Sequence, residues 1–122
     1  MVINLNLIKM SNVLLIDKKI KEFNKKIIVS GDKSISIRWV LLASQTIGKS
    51  KAYNLLMSED VIAALQAIKK LGIKVSIHKN YCEIYGKGIN NFRYKNGLII
   101  NAKNSGTLGR LILGLLVKSP KK

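Results

Sequence analysis

Two short stretches concentrate the residues of this chain that could do chemistry. "SGDKSISIR" at 30–38 sets Gly31, Lys33, Ser34 and Arg38 between two apolar runs, and "KNSGTLGR" at 103–110 sets Asn104, Gly106, Thr107 and Arg110 in a similar order. Each reads as a turn that opens a helix. The first N–H groups of a helix have no partner within it, and its dipole favours negative charge there. Gly31 lets the backbone turn sharply or approach a ligand. Lys33 adds a mobile point charge. Arg38, four residues after Ser34, lies one turn along the same helix face. Such a set can hold a phosphate or carboxylate through charge-assisted hydrogen bonds. One loop of this kind is also what a capped helix with solvated Lys and Arg looks like. Two of them point to two anionic groups bound near each other, on one ligand or on two.

The elements that position these loops follow from periodicity. "KKIIVS" (25–30) reads as a strand and 34–46 as a buried helix, with Trp39, Leu42 and Ala43 facing inward and Gly48 as the stop. "SKAYNLL" (50–56) reads as a second strand. Ser58 is an N-cap residue followed by Glu59 and Asp60, where the dipole favours acids, and Gly72 ends that helix. "IKVSIH" and "YCEIY" flank Lys79-Asn80 as a hairpin, and "GLIIN" (97–101) reads as a further strand. Leu108, Leu111, Ile112 and Leu115 mark a third helix. Strands alternating with helices predict an α/β fold, a sheet covered by helices on one face.

Composition narrows the function. The 122 residues fit one small domain. No apolar run is long enough for a membrane span, and the N-terminus lacks the pattern of a secretory signal, so the expected location is cytoplasmic. Cys82 and His78 are each the sole residue of their type, which excludes an internal disulfide and a multi-histidine metal site within one chain. A net charge of +16 raises the question of nucleic acid. The excess is lysine rather than arginine, and it is scattered rather than blocked, so no nucleic-acid partner is expected; attraction of small anions is.

The loops also carry a resemblance. "GDKSISIR" resembles the signature of the 5-enolpyruvylshikimate-3-phosphate synthase (3-phosphoshikimate 1-carboxyvinyltransferase) family, "NLLMSEDVIAALQAIKKLGIKV" is similar to the strand, helix and strand that follow in it, and "KNSGTLGR" resembles its second signature. The order and spacing agree over residues 25–118. The resemblance implies the βαβαββ unit of the enolpyruvyl transferase fold, two inverse α/β barrel-like domains when complete. Residues 1–30 would belong to the first domain, and 31–122 would be the opening, truncated part of the second. It further implies transfer of the enolpyruvyl group of phosphoenolpyruvate to the 5-hydroxyl of shikimate 3-phosphate, with release of phosphate, on the route to chorismate and aromatic amino acids. The family uses neither metal nor organic cofactor. By matching positions, Lys33 would contact both substrates, and Ser34 and Arg38 would hold shikimate 3-phosphate. Gly106 would admit phosphoenolpyruvate, with Asn104 and Thr107 lining that loop and Arg110 supporting it. A glycine at 106 further implies inhibition of the full-length enzyme by glyphosate.

Ile37 replaces a histidine of the signature, Ser30 a proline, and Leu111 a proline frequent after the arginine. None touches Lys33, Ser34 or Arg38. The family's proton-transfer carboxylate and lysine are expected beyond residue 122, so no catalytic residue is assigned here. The expected partner is a C-terminal segment of the same protein, and the chain alone is expected to be inert. Asp32 reads as a cap, Glu59 and Asp60 as dipole partners, and Tyr81, Cys82 and Tyr85 as hairpin packing; Asp17, Glu22 and Glu83 have no visible chemical neighbour. Met10 is a candidate initiator besides Met1. Alternatives are a UDP-N-acetylglucosamine enolpyruvyl transferase relative, from which Ser34 and Arg38 depart, and a noncatalytic basic domain binding anions or nucleic acid.

Overall fold

A computed structural model describes residue 24 and residues 26–117. The readings that fall on Met1, Met10, Asp17, Glu22 and Lys25 lie outside the described residues. Helix α1 spans Lys33–Ser44, β1 Ile47–Tyr53, α2 Glu59–Lys70, β2 Lys74–Ile77, β3 Tyr81–Lys87 and α3 Gly106–Leu116. The three strands form one antiparallel sheet in the order β1-β3-β2. Register runs from Ile47 opposite Lys87 to Tyr53 opposite Tyr81 on one side of β3, and from Lys74 opposite Tyr85 to Ile77 opposite Cys82 on the other. Cys82 and Ile84 therefore face the helices and are buried, while Tyr81, Glu83 and Tyr85 point to the opposite face. The layered α/β architecture expected from the alternation is present.

Local chemistry explains most boundaries. Asp32, in extended conformation, caps α1 by accepting from the Ile35 N–H at 2.7 Å. The buried stripe of α1 is Ser36, Ile37, Val40, Leu41, Ala43 and Ser44. Leu42, expected inward, falls off that stripe and is 66% exposed. Ile37 is fully buried, so the side chain standing where the signature has histidine does packing work. In α2, Glu59 and Asp60 occupy the first turn and Lys69 and Lys70 the last, complementing the dipole at both ends. Ser58 is its N-cap, but the hydroxyl makes no cap hydrogen bond and is buried without a partner among the described residues. Val61, Leu65, Ile68, Leu71, Phe92, Ile84 and Leu108 complete one core. Each such side chain contributes about 1.5–3 kcal/mol relative to exposure.

Three strand readings differ from the structure. Residues 26–30 run outside the sheet, with Ile27, Ile28 and Val29 exposed, because no strand among the described residues pairs with them. The strand expected at 50–56 lies at Ile47–Tyr53 instead, since Asn54 takes φ 54 and breaks extended geometry. Residues 97–101 form a loop rather than a strand. There Leu98 and Ile100 lean on the core, and the Ile99 carbonyl accepts from Lys70 Nζ at 3.0 Å, a side-chain bond in place of a ladder. No helix among the described residues is long and apolar enough to cross a membrane.

Candidate functional site

The loop before α1 is fixed from several directions. Gly31 packs so closely on the 54–56 backbone that a Cβ there would press into the Asn54 carbonyl oxygen and stand 2.9 Å from Leu56 N. Asn54 Nδ2 donates to the Val29 carbonyl at 2.8 Å, and the buried Ser36 hydroxyl accepts from the Leu56 N–H at 3.1 Å. The close approach that Gly31 permits is thus to the protein's own chain. Lys33 is the first residue of α1 and Ser34, half-buried, the second. Arg38 is exposed, beside an apolar groove of about 240 Å³ shared with Leu41, Leu42, Leu111 and Leu115.

The second loop is built more lightly. Asn101 Oδ1 accepts from the Lys103 N–H at 2.8 Å, and Lys103 takes φ 53. Ser105, buried, caps α3 by accepting from the Leu108 N–H at 3.2 Å. Asn104 is exposed, Gly106 is the first residue of α3, Thr107 beside it is half-buried, and Arg110 is exposed one turn on. A Cβ at Gly106 would meet nothing within 4 Å among the described residues.

Both loops reach the same place. Lys33 Nζ lies 2.9 Å from Asp60 Oδ2, and Lys103 Nζ lies 3.7 Å from Glu59 Oε1, so the first turn of α2 carries an ion pair to each. α1 also packs directly on α3. Sequence reasoning gave Glu59 and Asp60 a dipole role only; their second role depends on contacts between distant segments. An acidic pair opening the next helix, in a chain this poor in acids, was the available signal. Lys33, Ser34, Asn104, Gly106 and Thr107 therefore frame a region edged by three helix starts. Arg38 and Arg110 stand one turn further along their helices.

Other features lie away from this region. A cleft of about 700 Å³ runs along Ile28, Leu55, Met57 and the hairpin turn from Ile77 to Cys82, and none of the candidate residues lines it. On the outer sheet face, Glu83 is held by Lys49 at 3.3 Å and by the Tyr85 hydroxyl at 3.1 Å, with His78 3.9 Å away. Burial pushes this carboxyl up, but the hydrogen bonds from Lys49 and Tyr85 and the charges of Lys49 and Lys51 outweigh it and hold the group below its ordinary value. The Glu83 neighbours Lys49 and His78 were invisible in the sequence because they come from β1 and from the hairpin turn. Lys51 Nζ stands 3.6 Å from the Tyr81 ring centre, and His78 stacks on the same ring. Among the described residues no group of three or more His, Cys, Asp or Glu could hold a metal ion.

With this geometry in view, the EPSP synthase family (3-phosphoshikimate 1-carboxyvinyltransferase) matches residues 17–122. The chain belongs to that family. The 3-phosphoshikimate 1-carboxyvinyltransferase of Bacillus cytotoxicus is 37% identical over 100 residues, covering 82% of this chain and 23% of that relative. The enzyme of the same name from Petrotoga mobilis is 37% identical over 97 residues, 79% of this chain and 22% of its own. Among solved structures, the EPSP synthase of Acinetobacter baumannii superposes with a TM-score of 0.67 at 31% identity, over 75% of this chain and 21% of that one. The α/β fold is thus that of EPSP synthases. This family member spans under a quarter of the length of the relatives it matches.

Proposed function

We propose that this chain supplies part of the substrate site of a 3-phosphoshikimate 1-carboxyvinyltransferase, which moves the enolpyruvyl group of phosphoenolpyruvate to the 5-hydroxyl of shikimate 3-phosphate. In that reaction the 5-oxygen bonds to C2 of phosphoenolpyruvate while a proton adds at C3. Loss of the C3 proton and of phosphate from the tetrahedral adduct then restores the double bond. The observation that carries the reading is the meeting of both loops on the first turn of α2, through Lys33–Asp60 and Lys103–Glu59. Two anionic substrates need two cation-bearing helix starts close together, and orientation with charge stabilisation is the main requirement of such a reaction.

In this proposal Ser34 and Arg38 hold shikimate 3-phosphate, Lys33 contacts both substrates, and Asn104, Gly106 and Thr107 receive phosphoenolpyruvate with Arg110 in support. Residues 1–30 belong to a first domain and 31–122 open a second. Proton transfer falls to residues of a further segment of the same protein, which is the partner. The protein acts in the cytoplasm, within chorismate and aromatic amino-acid biosynthesis. Titration of shikimate 3-phosphate into the 122-residue chain tests the reading. Saturable binding that Lys33→Ala weakens at least about tenfold, the scale of a charge-assisted hydrogen bond, supports it. Binding indifferent to Lys33→Ala and Arg38→Ala refutes the site, and turnover by the chain alone refutes the division of labour.

A further inference from the structure

Lys33 would be a poor anion receptor without help. Its ammonium rides on a flexible four-carbon stem whose rotamer freedom must be surrendered on binding. The carboxylate next to it in sequence is already engaged, because Asp32 accepts from the Ile35 N–H at 2.7 Å as the helix cap. The carboxylate that reaches Lys33 comes from another helix. Asp60 Oδ2 stands 2.9 Å from Lys33 Nζ, and its side chain is 14% exposed where that of the lysine is 53% exposed.

We propose that Asp60 is a positioning residue of the substrate site, holding the Lys33 ammonium at the start of α1 where an anionic ligand can share it. The inference rests on the anion-site reading of the two loops and deepens it. Asp60 suits the task because it is anchored: the adjoining Val61, Ala63 and Ala64 are buried in the core, and the Ile62 N–H bonds the Ser58 carbonyl at 2.9 Å. An ammonium has three donors, so one spent on Asp60 leaves two for a phosphoryl or carboxylate oxygen. The ligand therefore joins the pair and need not break it. Glu59, one residue earlier, makes the contrasting pair. At 3.7 Å from Lys103 and 78% exposed, it is a solvated contact that marks how near the second loop lies but adds little stability.

The sign of the effect separates this role from simple electrostatics. A carboxylate acting only through its charge repels an anion, and its removal would tighten binding. A carboxylate that aims Lys33 would, when removed, loosen binding. The test is calorimetric titration of shikimate 3-phosphate into the full chain for Asp60→Asn, Asp60→Glu, Glu59→Gln and Lys33→Met, and for Asp60→Asn combined with Lys33→Met. Thermal melts of each variant and NMR order of the Lys33 side chain accompany it. Asp60→Asn is expected to weaken binding about fivefold and to mobilise the Lys33 side chain. The same change is expected to have no effect in the Lys33→Met background, Asp60→Glu to recover most of the affinity, and Glu59→Gln to leave it unchanged. Equal or tighter binding by Asp60→Asn, or an equal loss in the Lys33→Met background, overturns the proposal while leaving the site reading intact. Absence of saturable binding by the unaltered chain overturns the site reading and this proposal with it.

Discussion

The two loops resemble each other in sequence, yet the structure builds them differently. Residues 30–38 lie against the 54–56 backbone, with Gly31 in close approach, Asn54 bonded to the Val29 carbonyl, and Ser36 bonded to the Leu56 N–H. Residues 103–110 hold their shape from within: Asn101 receives the Lys103 N–H, Ser105 caps its own helix, and Gly106 has open space around it. A loop braced against a neighbouring segment presents fixed donors at little ordering cost. A loop braced mainly by its own hydrogen bonds, with one exposed ion pair from Lys103 to Glu59 reaching another element, leaves room for a ligand to fill. Under the proposed function, the first loop would take the phosphorylated ring and the second would admit the smaller anion to its backbone.

Breaking the braced loop should give the largest effect. Gly31→Ala forces a Cβ into backbone atoms that cannot yield, and is expected to cost about 3 kcal/mol, the upper end for overpacking. Thermal unfolding would show a Tm drop of more than about 10 °C; a smaller drop means the 54–56 contact is loose. Ser36→Ala strands the Leu56 N–H and should cost about 1–2 kcal/mol by denaturant titration. The caps put both loops on one scale. Asp32→Ala and Ser105→Ala should each cost about 1 kcal/mol, and a clear inequality in their melts would show that one helix start is reinforced beyond its cap. Gly106→Ala should change stability by less than about 0.5 kcal/mol while weakening phosphoenolpyruvate or glyphosate binding; a destabilised variant would mean the space is not open.

The outer sheet face supplies a control remote from both loops. Glu83 has its carboxyl held below the ordinary 4.5, so it adds stability above that pH, and the contribution is lost as the pH falls through the lower, folded-state value. Glu83→Gln should flatten the acid limb of the stability profile and leave ligand affinity at both loops unaltered. A change in affinity would couple the sheet face to the site.

The sequence-readable parts of this molecule are those decided by neighbours along the chain. The 74–87 hairpin was legible from alternation about Lys79-Asn80, and α2 from Ser58, its acidic first turn and Gly72. Asp32 was legible as a cap and Cys82 as packing. Failures arose where distant segments decide. Residues 26–30 and 97–101 have strand composition but no partner strand among the described residues, Leu42 is apolar yet lies off the stripe, and Asn54 ends β1 through its φ angle. At the candidate site, residue types and order singled out both loops. The tie from Lys33 to Asp60 could not be read, because sequence spacing holds no information on which helix starts lie together.

Cys82 carries a last consequence. It is the chain's one thiol, 2% exposed in the central strand, with burial the leading cause that raises its pKa. Although Cys82 borders the 700 Å³ cleft, its 2% exposure means that a thiol reagent should react with it mainly when the sheet opens, and the labelling rate becomes a clock for that opening. A ligand that binds only the closed form slows the clock by a factor of one plus its concentration over its Kd, roughly a hundredfold at a hundred times its Kd. The substrate binding proposed for the loops can then be tested at a sulfur atom that belongs to neither of them.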